Sequence, residues 1–448
     1  MKKYYKIVLL LILGTSLQAQ QELSVPLMSH LSTFSKVNPS YFPDNEWVIN
    51  LPSVGISLMH TGPSFTDLYE KQAAGNYKIK GNQALEAFNA HNLFGGEFNA
   101  DLLGITYTKV DNSFSINYGM YASGAIDYTN DGAKLLLKGN GAFVGETLSV
   151  GPGISINVFD KIGLGYVRKI GEWSVGARVN FLFGRKNLST AKHFARLTTN
   201  SDYYALDLET DYVVRSSDFL NIDSETNKVS FTDMDYKPGL GKNGKGYGLD
   251  MGFNYQVDKQ LSVFASVTNI GSILWKENTA IYASHSHSAY EGVQIQSLAK
   301  LDTASLSGML DSIQQFIGLE ESAGTYKTKL SPVFMGGGSW QFTDKTTFNG
   351  VIVLNSALGN FLPSLGVGVQ QEVAPWAKVG GSFSYQNKRF NHIGLNTTIK
   401  LGPVQMFMAS DNIMSIIAPK SSGTMHFRAG MSVMFGKITR QKVIYGLG

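Results

Sequence analysis

The chain has 448 residues, a formal net charge of +4, 48 glycines, 12% aromatic residues and no cysteine. Lack of cysteine excludes disulfide staples and thiolate metal sites, and near-neutrality excludes the strongly basic surface that nucleic-acid binding needs. Abundant glycine and aromatics beside only 12 prolines and 16% charged residues suit a β-barrel with aromatic girdles better than a soluble enzyme.

Met1-Lys2-Lys3-Tyr4-Tyr5-Lys6 leads into the apolar run Ile7 to Leu13 and then to small residues ending at Ala19. This order predicts a secretory signal peptide over 1–19, cleaved after Ala19. Its removal takes three of the 38 basic residues and none of the 34 acidic ones, leaving 35 against 34. The apolar run is shorter than the ~20 residues of a spanning helix, and no later stretch reaches that length, so a helical membrane protein is excluded. No cysteine follows the cleavage region, so no N-terminal lipid anchor is expected.

Residues 20–45, with Pro26, Pro39 and Pro43, read as a periplasmic lead-in or a plug. Trp47 to Met59 is the first β segment, with Pro52 at an edge or bulge. From Gly62 to Asn99 alternation gives way to helix formers, and two short helices are expected there. Alternation returns at Leu103, Ile105 and Tyr107, and again from Phe114 to Met120 across an Asp111-Asn112 turn. Ile154 to Val158, Ile162 to Tyr166 and Trp173 to Phe183 form a meander with turns at Asp160-Lys161 and before Trp173. Short turns on one side and long excursions on the other mark an outer-membrane barrel, the short turns being periplasmic. Between Gly184 and Lys245 we expect one strand pair, including Tyr203 to Val214, and a long polar loop.

The clearest signal spans Gly246 to Asn269. Tyr247, Leu249, Met251, Phe253, Tyr255 and Val257 alternate with Gly248, Asp250, Gly252, Asn254 and Gln256. A period of two places these sets on opposite strand faces, and the polar face is too small to fill a sandwich core. Lipid outside and water inside suit it. After Asp258-Lys259 the pattern resumes in a second strand, with Phe264 the exception on its polar face. Beyond it lie β structure from Leu274 to Ala283 and an amphipathic helix carrying Leu306, Met309, Leu310, Ile313, Phe316 and Ile317. Six strands follow between Phe334 and Ser410, and Met425 to Phe435 closes the chain. The expected fold is all-β, a transmembrane antiparallel barrel of about 14 strands (12 to 16) over 46–436 with short helical insertions and a tail, 437–448.

Asn38-Pro39, Leu51-Pro52, Thr66-Asp67-Leu68, Ser410-Asp411-Asn412, Phe427-Arg428-Ala429-Gly430-Met431 and Phe435-Gly436 resemble an uncharacterised family of Bacteroidetes outer-membrane proteins. That family is similar to fatty-acid-transporter-like barrels and to barrel subunits of the type IX secretion system. The resemblance covers most of the mature chain. It implies about 14 strands, an N-terminal segment folded into the lumen and a hydrophobic cargo.

No stretch points to an enzyme. Gly336-Gly337-Gly338 and Gly380-Gly381 lie inside strand patterns with no following helix and no Gly-Lys-Ser or Gly-Lys-Thr, so they read as close strand packing. No Gly-x-Ser-x-Gly elbow occurs. Ser284-His285-Ser286-His287-Ser288 puts two histidines on one face if extended, but no carboxylate or cysteine at ligand spacing accompanies them. It reads as an exposed polar loop, and the acids of Asp202 to Asp235 as a solvated loop without EF-hand spacing. Neither cofactor nor metal is expected. Arg178, Asp250, Lys378, Lys400 and Arg428 fall on inward positions, since a Lys or Arg facing mid-membrane lipid costs about 2–4 kcal/mol. They are the candidate lumen-lining residues, which either line a pathway or pair with one another to plug it. Passive transport or binding of hydrophobic or small molecules at the outer membrane is the leading expectation. The alternative is a non-conducting scaffold or accessory subunit that docks partner outer-membrane proteins.

Overall fold

In the computed structural model the alternating stretch is a hairpin. Gly244–Gln256 and Leu261–Trp275 pair antiparallel, with Phe253 opposite Ala265 and Tyr255 opposite Val263. Tyr247, Met251 and Phe253 lie exposed, while Asp250 is wholly buried. Phe264, the exception in the pattern, is buried in the interior. The structure describes residues 22–438 apart from 74, 203, 223–228, 233–238, 291–319, 359 and 387–388.

This hairpin belongs to a closed antiparallel barrel of 14 strands. The first five strands are β1 (Asn45–Asn50 and Ser53–His60), β2 (His91–Lys109), β3 (Asn112–Thr129), β4 (Gly153–Ile170) and β5 (Trp173–Thr199). Like β1, three further strands are interrupted: β6 (Leu206–Ser217, Gly244–Gln256), β7 (Leu261–Trp275, Thr279–Tyr290) and β8 (Glu320–Ser322, Tyr326–Lys329, Val333–Gln341). The wall continues through β9 (Thr346–Ala357), β10 (Asn360–Ala374), β11 (Ala377–Gln386), β12 (Arg389–Leu401), β13 (Val404–Ser410) and β14 (Thr424–Lys437). Closure is by β14 on β1, with Trp47 opposite Phe435 and Ile56 opposite Phe427. A closed barrel leaves no unpaired strand edge, which is what a hydrocarbon surrounding demands.

Outward residues such as Val54, Ile56, Leu164, Val179, Ile352, Val367, Phe383 and Met408 form an exposed apolar belt, too large a patch for a surface in water. At the short-turn rim the belt ends in aromatic pairs: Trp47 with Tyr107 at 4.7 Å, Phe114 with Tyr166 at 5.1 Å and Trp173 with Tyr255 at 4.3 Å. Aromatic rings gather at a membrane–water interface in this way.

Several local expectations change. The segment from His91 to Asn99 is strand, not insertion, and β2 bulges just beyond it, between Asp101 and Leu103. The bulge moves outward positions from Phe94 and Phe98 to Leu103, and a phase change hides a strand from a period-two reading. Asp160-Lys161 is no turn: β4 runs straight through, and the irregularity lies opposite, where Arg185 is the extra residue of β5. Ser284 to Tyr290 is strand, not loop, paired with Leu206 to Tyr212 of β6. Pro52 sits where β1 breaks in the closed wall, not at an edge. The insertion after β1 holds short helices Phe65–Leu68 and Asn82–Glu86, with a small hairpin between them. A helix over Asn130–Lys138, capped by Thr129, follows β3. The predicted helix around Leu306 to Ile317 lies outside the described residues, as do 1–21.

Candidate functional site: the plugged lumen

A 14-stranded wall encloses more space than inward side chains fill. Residues 22–44 occupy it. Leu23, Leu27 and Phe34 are buried against Phe264, Val333, Met335, Val351 and Val353 of the wall, and Met28 and Leu31 against Phe407 and Ala409. Each such side chain, fully buried, favours the docked plug by roughly 1.5–3 kcal/mol. Phe34 meets Phe264 edge-on at 5.0 Å, and Phe264 lies over Gly337, where an added Cβ would approach its ring to 2.7 Å. Opposite, Asn38 and Pro39 back onto bare wall: a Cβ on Gly176 would meet the Pro39 carbonyl at 2.3 Å, and one on Gly252 the Asn38 Oδ1 at 2.2 Å.

Charged side chains tie the plug at both ends. Arg178 Nε donates to Asp250 Oδ2 at 2.9 Å, and its remaining nitrogens donate to the Ser35 carbonyl at 3.1 Å and the Lys36 carbonyl at 2.9 Å. Asp250 also accepts from Asn180 Nδ2 at 2.8 Å and the Asn269 backbone N–H at 2.7 Å. Asn269 has φ of 62° in a bulge of the β6–β7 ladder, a conformation asparagine tolerates better than most residues. Arg428 Nε donates to Glu22 Oε2 at 2.6 Å and its Nη1 to Asp101 Oδ2 at 3.1 Å. Asp101 further accepts from Lys36 and, at 2.6 Å, from the Tyr121 hydroxyl. The Leu23 N–H and Ser24 hydroxyl both donate to Asp411, the former at 2.8 Å.

Of the five candidate residues, Arg178, Asp250 and Arg428 are buried among these bonds. Arg178 and Asp250 touch directly, and Arg428 reaches the plug through Glu22 and the Asp101–Lys36 pair. Lys378 stands partly exposed near the short-turn rim with Glu372 at 3.8 Å, and Lys400 is exposed beside it. Sequence reasoning missed Glu22, Lys36, Asp101 and Asp411. Asp101 was hidden by the bulge, and the others lie outside any alternating strand pattern.

Between the plug and β2 to β5 runs a narrow polar cavity lined by Lys36, Asp101, Asn117, Lys161, Arg178 and Asn180. Lys161 lies over the Tyr121 ring at 4.2 Å. A separate apolar cluster also faces the interior: Phe159, Leu182, Ile273, Trp275, Tyr326 and Leu330. At the loop rim, a hydrogen bond from Lys420 holds the Tyr77 phenol below its ordinary pKa. Phe65 packs on Tyr77 at 5.0 Å within the first long loop, and Lys420 of the last long loop lies over both rings, joining the two.

These features define a transmembrane β-barrel with a plugged lumen. The chain belongs to a family described as a family of unknown function (DUF5723), which matches residues 39–411. No curated protein matches it. Among solved structures it is similar to the Pseudomonas putida toluene transporter TodX, at 8% identity and a TM-score of 0.42, covering 93% of this chain and 98% of that one. It is similar also to the Ralstonia pickettii toluene transporter TbuX, at 12% identity and a TM-score of 0.39, covering 89% and 92%. The translocator domain of the Neisseria meningitidis autotransporter NalP matches at 9% identity and a TM-score of 0.34, covering 92% and 100%. Likeness at this level assigns no substrate.

Proposed function

We propose that the protein is an outer-membrane transporter that binds small hydrophobic molecules in its lumen and passes them by diffusion, exported by way of the 1–19 signal peptide and acting without catalysis. The observation that carries this reading is the interior cluster of Phe159, Leu182, Ile273, Trp275, Tyr326 and Leu330, separate from the apolar residues that dock the plug. A water-filled pore has a polar interior. Bulky apolar side chains there suit an apolar guest.

The plug is held by side-chain bonds and packing, not as a strand of the wall. In this reading Arg178, Asp250 and Arg428 are its releasable ties, and Lys378 and Lys400 line the periplasmic mouth. The dry packing of Leu23, Leu27 and Phe34 favours the second reading, a permanently shut scaffold that docks partner proteins.

A reversible lock separates the two. Ser29 and Ser339 touch, Oγ to Oγ at 2.8 Å, and the chain has no cysteine, so Ser29→Cys/Ser339→Cys ties plug to wall. Cells making the wild-type protein should take up an uncharged naphthylamine dye faster than cells making the oxidised double variant, with reductant restoring the rate. Equal uptake in all three states would support the scaffold.

A further inference from the structure

β5 is too long for a membrane. Its 27 residues, at about 3.3 Å each and a tilt of about 40°, rise far beyond the ~25 Å apolar band. Its outward face changes accordingly, from Trp173, Val175 and Val179 to exposed Lys192 and Arg196. The upper parts of β5, β6 and β7 therefore stand in water on the loop side.

On that raised wall the pairing places Asp211 directly opposite His285 and Glu209 directly opposite His287. Two-residue spacing on each strand puts all four on one face. Directly opposed residues have Cβ atoms about 4.5–5.5 Å apart. His285 Nδ1 lies 2.8 Å from Asp211 Oδ1. That bond fixes the ring and leaves Nε2 free, the arrangement in which a carboxylate orients a metal-ligating histidine. His287 and Glu209 are exposed, so their rotamers are free to converge on the same point.

We propose that His285, His287 and Glu209, with Asp211 positioning the His285 ring, form a site for one divalent transition-metal ion such as Zn²⁺ on the extracellular face of the barrel. Two imidazoles and a carboxylate are a donor set that zinc accepts, with the remaining position open to water. Among the described residues no three such groups already share one coordination shell; the site closes by side-chain rotation when the ion arrives. Electrostatics alone does not build it. Lys192 Nζ lies 2.9 Å from Asp211, and Arg196 is paired opposite Glu209, so affinity rests on the two ring nitrogens.

The test is calorimetric titration of ZnCl₂ into the purified, detergent-held full-length barrel. One ion per chain is expected, with His285→Ala and His287→Ala each weakening binding by about tenfold or more and Asp211→Asn by about tenfold, as loss of an orienting partner does. Cobalt(II) should give a visible absorption band that the His285→Ala/His287→Ala variant lacks. Failure of the wild-type protein to bind zinc, or unchanged binding by the double histidine variant, overturns the proposal. Because both histidines are solvent-exposed, heat-modified gel mobility should show the variants folded.

Discussion

Arg178 and Asp250 occupy directly paired positions on β5 and β6, and the guanidinium that bonds the carboxylate also holds the carbonyl oxygens of Ser35 and Lys36. One buried ion pair thus serves wall and plug together. Removing only one partner leaves a charge without compensation in a low-dielectric interior, at a cost of about 3–5 kcal/mol. Asp250→Ala should lower the urea midpoint of the refolded barrel accordingly. Arg178→Met/Asp250→Leu should recover most of that loss, yet leave the amides of 34–38 exchanging faster with deuterium. Equal protection of those amides in wild type and double variant would show that Arg178 does not hold the plug.

Arg428 links Glu22 to Asp101. Arg428→Met should free the start of the plug while the apolar docking of Leu27 and Phe34 persists. Hydrogen exchange should therefore rise at residues 22–25 and stay low at 31–34, and dye uptake should increase.

Phe264 is the apolar residue among the small, polar inward positions Ser262, Ser266 and Thr268 of its strand, and it carries Phe34. Phe264→Ala should destabilise the docked plug by about 3–5 kcal/mol through lost contact and a residual cavity. The readout is proteolytic cleavage within 22–44 in detergent, expected in the variant and absent in wild type. Leu is the control, since it refills part of the volume.

Gly176 and Gly252 give the plug backbone its close approach. Gly176→Val should displace Asn38-Pro39 and raise single-channel conductance in planar bilayers, because a methyl group there overlaps backbone that cannot rotate away. Gly171, in the short turn before β5, lies at φ 58° and meets nothing. Asn there, which accepts the left-handed region, should leave conductance at the wild-type value.

The orientation of the barrel can be read with single cysteines on a cysteine-free chain. Ser201→Cys, in the turn between β5 and β6, should react with a membrane-impermeant maleimide on intact cells. Asp344→Cys, in the short turn between β8 and β9, should react only after the outer membrane is permeabilised. The reverse pattern would invert the barrel.

The all-β class, the hairpin centred on Val257 to Gln260 and the final strands are legible in the residues themselves, because a barrel wall imposes a period of two on one chemical contrast, lipid against lumen. Where a bulge shifts that period, as at Asp101, the strand disappears from view. The role of residues 22–44 is not written in any periodicity: Glu22, Lys36 and Asp411 acquire meaning only when the wall closes and brings Arg428, Asp101 and Leu23 to them across some 65 to 406 positions of sequence. The same holds for His285 and His287. Their carboxylates lie on a neighbouring strand more than 70 residues earlier in the chain, so strand register, which depends on the packing of the whole barrel, decided what stands beside them.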